Sequence, residues 1–229
     1  PPGFSVWMSQ SLGPSPEWGA ADVTKAVGRD PSFQLAAAHR LAADLVEAAV
    51  LLGEDPDPRW LDVQRRLPRY SVGPGGIQLF EGQPFVETHR HHSHMAGLYP
   101  FDIIDFGDEK VRTDVQETYS TWVCRGTGLW TGWCVPWAAI LNVRMGAPEA
   151  AVGRLHDWVR YFCNDGHGSH HNAVRPGFTS WINGLGIMQM DGQCAAATAV
   201  LELLAHETNG KVEFFKGCPA AWTDVSFEN

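Results

Sequence analysis

The sequence predicts an all-α domain. Three observations carry this expectation: stretches with apolar residues at helical spacing, capping residues at their ends, and two long aperiodic segments between them. In chain order, residues 1–29 are rich in Gly, Pro and Ser and read as loop. Asp30-Pro31 opens the first helix, with Asp as N-cap and Pro at the first helical position. Leu41, Leu45, Ala48 and Leu52 follow on one face, and Gly53 stops it. A short helix covers Pro58 to Arg66. Residues 67–107 hold turn signals and a His cluster but little periodicity. From about Asp108 to Cys124, Val111, Val115, Thr118 and Trp122 share a face. A helix from about Val135 to Arg144 ends at Gly146, and the next starts at Pro148 with Val152, Leu155, Val159 and Phe162 inward. Residues 164–191 are again irregular. A last helix, Gln193 to His206, presents Ala197, Val200, Leu201 and Leu204, and the tail from Lys211 to Phe227 alternates like short strands. Paired helices would form a scaffold, and the long loops, loaded with His, Trp, Asp and Arg, would gather at one end as a site.

Composition narrows the function. The 229 residues suffice for one domain with a sizeable core. A net charge of −9 argues against a nucleic-acid partner, which needs clustered Lys and Arg. No run of 18 apolar residues exists to cross a membrane. Trp is frequent, ten against four Tyr, and Trp rings either fill cores or stack on sugars. Five Cys, none in a C-x-x-C pair, are expected as buried free thiols.

Four motifs could carry chemistry. His89-Arg90-His91-His92-Ser93-His94 is open to three readings: a zinc site, structural hydrogen bonding, or a strip of donors for sugar hydroxyls. Ser15-Pro16-Glu17-Trp18 holds either an exposed loop Glu or a general acid whose pKa is raised by burial against Trp. In Met188-Gln189-Met190-Asp191-Gly192, Asp191 either caps the last helix or serves as a carboxylate able to take a proton from water. Thr127-Gly128-Leu129-Trp130-Thr131-Gly132-Trp133 is either a turn with packed Trp or the wall of a sugar pocket.

The order of these motifs resembles glycoside hydrolase family 95, the family of inverting α-L-fucosidases with some α-L-galactosidases. His-Arg-His-x-Ser-His followed by Gly97-Leu98-Tyr99-Pro100 is the most specific part, and the likeness runs from about residue 6 to about 222. It implies an (α/α)6 barrel, of which residues 1–210 are the C-terminal part. The rest of the barrel would lie upstream of Pro1 in the same polypeptide. Residues 211–229 would begin a C-terminal β-domain or tail. The resemblance further implies that Glu17 protonates the departing oxygen, that Asp191 helps activate water, and that Arg90 and His91 hold the terminal sugar. His94, Trp18, Trp133 and Thr131 are the further sugar-binding candidates. Inversion requires the two carboxyl groups roughly 6.5–9.5 Å apart. No cofactor and no metal are implied, and secretion or a periplasmic location fits the family. The family's two water-activating Asn residues would lie upstream, so the chain alone is expected to be inactive.

The sequence departs from the family pattern at Gln193, where Asn is usual, at Cys134, where bacterial members carry Ser, and at Gln78–Gly82. The expected function is removal of a terminal α-linked sugar, L-fucose in a 1,2-linkage above others. The alternatives are an α-L-galactosidase, a sugar-binding relative without catalysis, and a zinc-dependent hydrolase built on the His cluster.

Overall fold

The computed structural model describes residues 5–7, 27–182, 186–208 and 211–226. The chain divides into two compact units, Pro1–Glu87 with His91–Gly126, and Thr88–Arg90 with Thr127–Asn229. Six α-helices dominate the described residues, with short antiparallel strand pairs beside them, so the expected all-α class holds.

In the first unit, β1 (Ser5–Trp7) pairs with β2 (Val27–Arg29), where the sequence suggested only loop. Helix α1 spans Ser32–Leu52. Its start differs from expectation. Asp30 adopts a positive φ of 48°, and Pro31 occupies the cap position without a side-chain cap. The buried Ser32 hydroxyl instead ties the helix start to the rest of the unit, donating to the Gln78 carbonyl at 2.6 Å and accepting from the Ser71 N–H at 3.0 Å. Gly53 ends α1 in the left-handed conformation, as expected. Helix α2 (Pro58–Arg66) is capped by Asp57, and α3 (Glu109–Cys124) by Asp108.

The inward face of α3 is Val115, Thr118 and Trp122. Thr118 is buried because it faces a hairpin, β3 (Val72–Gly73) with β4 (Gly76–Ile77). Its hydroxyl accepts from the Ile77 N–H at 2.7 Å and donates to the Asp114 carbonyl at 2.6 Å. A side chain at Gly76 would put Cβ 2.5 Å from the Thr118 backbone nitrogen, so only glycine lets the hairpin approach this closely.

In the second unit, α4 (Cys134–Arg144) is buried along nearly its whole length, as an all-round apolar helix should be. Helices α5 (Pro148–Phe162) and α6 (Met190–Leu204) pack against it. Arg144 and Glu202 form an ion pair between α4 and α6 at 2.7 Å, with both side chains largely shielded from water. The last helix stops at Leu204 rather than His206. Ala205–Thr208 (β5) then turns back on Lys211–Phe214 (β6) as a hairpin.

Several faces differ from expectation. On α1 the buried residues are Leu35, Ala36, His39, Ala42 and Ala49, while Leu41 is 60% exposed and Leu52 also faces out. On α6 they are Gly192, Ala196, Ala199 and Leu203, while Ala197, Val200 and Leu201 face out. On α5, Val159 is exposed and Ala151 and Trp158 are inward. The reason is close packing. Small residues let α6 approach α4, so the narrow Gly/Ala face wins over the face with the bulkier side chains. Cys134 and Cys163 are buried thiols as expected, but Cys124 and Cys194 are exposed and Cys218 is half-buried.

Candidate active site

The His cluster divides between the units, Thr88–Arg90 with the second and His91 onward with the first. In the first unit, a single 3-10 turn, Ser93–Met95, packs on α1. His94 is buried and stacks on Phe85 with ring centroids 4.6 Å apart. Burial pushes its pKa down to about 3, so the ring is neutral at ordinary pH. Both ring nitrogens lack a hydrogen-bond partner among the described residues. His92 is also buried and lies edge-on to Trp122 at 4.7 Å. His91 is half-buried. Gly97, the start of the specific Gly-Leu-Tyr-Pro stretch, would put a Cβ 2.7 Å from Ile104 Cδ1, and its carbonyl accepts from the N–H groups of Ile103 and Ile104. That part of the motif is therefore packing and turn structure.

In the second unit His89 is buried, and burial together with the Arg90 charge brings its pKa down to about 4. Among the described residues, no three His, Cys, Asp or Glu side chains converge as a metal would need, so the zinc reading finds no ligand set there.

The same unit brings together two motifs that lie about sixty residues apart in sequence. The turn Thr131-Gly132-Trp133 leads into α4, and Asp191-Gly192 lies in the first turn of α6. A Cβ on Gly192 would sit 3.3 Å from the Gly132 carbonyl oxygen and 3.4 Å from Trp133 Cα. Gly132 in turn backs onto the chain at His170. A Cβ there would fall 2.0 Å from the His170 carbonyl oxygen, and its N–H donates to the His171 carbonyl at 3.0 Å. The two helix starts thus meet backbone to backbone; a side chain at Gly132 would overlap the chain at His170, whereas one at Gly192 would be tight but close to ordinary van der Waals contact.

Cys134 locks the turn. Its sulfur accepts from the Thr131 N–H at 3.2 Å, and its thiol donates to the Thr131 carbonyl at 3.0 Å. Burial pushes the thiol pKa up to about 12, so it stays protonated and serves as a donor. A hydroxyl could make the same pair of bonds, so Ser would also fit this position.

Asp191 does not cap α6. The cap position is Gln189, and Asp191 is an exposed residue of the first helical turn. Its Oδ1 accepts from the Gly192 N–H at 2.9 Å. Gln193 turns away, its Nε2 donating to the His167 carbonyl at 3.1 Å. Trp133 is half-buried and stacks on Trp137 at 5.7 Å, whereas Trp130 is core and Thr131 is fully buried. Arg90 is half-buried. Glu17 and Trp18 lie outside the described residues.

Sequence reasoning missed the part of the long loop that organises this region. Thr127 Oγ1 donates to the Phe178 carbonyl, and the Thr179 and Ser180 hydroxyls both donate to the Gly128 carbonyl. Thr-Ser runs in loops are common and carry no such signal in themselves.

The turn that bears the half-buried Trp133 is thus packed on a helix start that bears an exposed carboxylate, and aromatic rings and carboxylates are side chains that carbohydrate-cleaving sites use. The profile of the Glycosyl hydrolase family 95 catalytic domain matches residues 5–204, most of the chain, and the chain belongs to this family. Among curated proteins, no sequence matches it.

Proposed function

We propose that this chain carries the C-terminal part of the (α/α)6 catalytic barrel of an inverting exo-glycosidase that removes a terminal α-linked L-fucose. Residues 1–210 belong to the barrel and 211–229 open a β-domain or tail. The observation that carries the reading is the direct packing of the Thr131-Gly132-Trp133 turn on the Asp191-Gly192 helix start. It brings a sugar-binding turn and a carboxylate into one rigid piece. In this reading Asp191 helps draw a proton from the attacking water and Glu17 gives one to the leaving oxygen. In the same reading Arg90 and His91 hold the sugar and Trp18 and Trp133 stack on it, while the buried Thr131 and His94 would act only from behind, by supporting the residues around them. The exposed apolar faces of α1 and α6 support a barrel in which further helices cover them.

The test is hydrolysis of a 1,2-α-L-fucosyl trisaccharide by the intact protein. Glu17→Gln and Asp191→Asn should each lower kcat by roughly a hundredfold or more, with little change in Tm. Proton NMR of the first product should show the anomer opposite to the substrate's. Near-native turnover in either variant, or a retained anomer, would overturn the assignment. Calorimetric binding without any turnover would instead favour a sugar-binding relative.

A further inference from the structure

Ser169 lies in the long loop before α6, outside the four motifs and about twenty residues along the chain from Gln189, yet it is fully buried. Its hydroxyl donates to the Gln189 carbonyl, and its own carbonyl accepts from the Gln189 N–H at 2.9 Å. Both backbone groups of the residue that starts α6 are therefore held by one serine. The same hydroxyl oxygen lies 3.4 Å from the position a Cβ would take on Gly192, so it also touches the first helical turn. Ser169 is itself anchored. It bridges to Cys163 at the end of α5, and the next residue donates its N–H to the Phe162 carbonyl at 2.8 Å. A continuous set of bonds thus runs from the end of α5 through Ser169 to Gln189, two residues before Asp191.

We propose that Ser169 is a positioning residue for the Asp191 carboxylate. This rests on the reading of Asp191 as the carboxylate that activates water. An exposed Asp side chain has no packing to fix it, so its direction follows from the backbone of the helix turn that bears it. Ser169 fixes where that turn begins. Removing the hydroxyl leaves the half-buried Gln189 carbonyl one bond short and lets the helix start drift. A drift of well under 1 Å suffices to spoil alignment with the attacking water while binding elsewhere is kept.

The experiment uses the intact protein on the same fucosyl trisaccharide. Ser169→Ala should lower kcat roughly tenfold with KM within about twofold, and Ser169→Thr, which keeps the hydroxyl, should recover most of that loss. In an Asp191→Asn background, followed by single-turnover assay, the further change Ser169→Ala should have almost no effect, because the group it positions is gone. Native kcat in Ser169→Ala overturns the proposal, as does a full tenfold further loss in the Asp191→Asn background. Should Ser169→Ala fail to fold, Ser169→Cys, with a weaker donor, should give an intermediate kcat; a native value there overturns it equally. Native turnover in Asp191→Asn would sink the premise instead, and is a separate outcome from a silent Ser169.

Discussion

Gly132 occupies a position where the smallest possible addition has a large effect. A methyl group there would overlap the His170 carbonyl, and backbone cannot move aside as a flexible side chain can. Gly132→Ala should therefore destabilise by about 2–3 kcal/mol, read as a fall in the urea midpoint. Two buried histidines, His94 in the first unit and His89 in the second, make a second prediction at this scale. His94 is held near pKa 3 and His89 near 4, well below the 6.5 of an unfolded chain. Between pH 6.5 and 4 the unfolded chain binds protons that the folded chain refuses. Stability is therefore full above 6.5 and falls as the pH drops through this window, by about 2 kcal/mol per ring at pH 5. Comparing urea unfolding at pH 7 and pH 5 checks this, and His94→Gln should make the loss visibly smaller. The sequence marked His94 as conspicuous, but four His in six residues could not tell an interior ring from an exposed one. Burial is decided by Phe85, a neighbour that no pattern paired with it.

Helices were legible in number and nearly in extent, because caps and stops are local. Asp108 before α3, Pro148 at the start of α5 and Gly53 after α1 each act within one turn. Asp108 accepts from the N–H groups of Lys110 and Val111, so Asp108→Ala should cost about 1 kcal/mol in stability. Faces were less legible. Apolar spacing on α6 picks Ala197, Val200, Leu201 and Leu204, but contact with α4 selects the Gly192-Ala196-Ala199-Leu203 edge. A pattern on one helix cannot reveal how closely its neighbour approaches. The Arg144–Glu202 pair fixes these two helices against one another. Breaking it from one side, with Arg144→Met, leaves a shielded carboxylate and should cost about 3 kcal/mol, whereas Arg144→Met with Glu202→Leu should recover much of that. Thermal melts of the single and double variants measure the difference.

Across the whole molecule, each unit presents an uncovered apolar helix face, Leu41, Val50, Leu51 and Leu52 on α1 and Val200 and Leu201 on α6. Where further helices cover them, as the barrel reading requires, Leu201→Glu in the intact protein should destabilise by about 2 kcal/mol or more, since a charge would enter a packed layer. An unchanged Tm would mean that the α6 face is open to water. The family was legible in the order of motifs, and the match over residues 5–204 agrees with it. The physical basis of the order was not. Thr-Gly-Trp and Gln-Met-Asp-Gly meet in this chain because one turn rests on the other, a contact across about sixty residues that spacing along a chain does not encode.

The double attachment beside that contact has a bearing on how the enzyme could change. The His171 carbonyl is bonded to Gly132 and the His171 N–H to the Ile187 carbonyl at 3.0 Å, so the chain between them leaves and returns at nearly one point. Pro176 and Gly177 lie exposed in that excursion. Lengthening it there costs only the slow logarithm of loop closure, about 0.6 kcal/mol for each doubling. An insertion confined to Pro176-Gly177 would leave in place the bonds that Phe178, Thr179 and Ser180 make to Thr127 and Gly128, and with them the two helix starts.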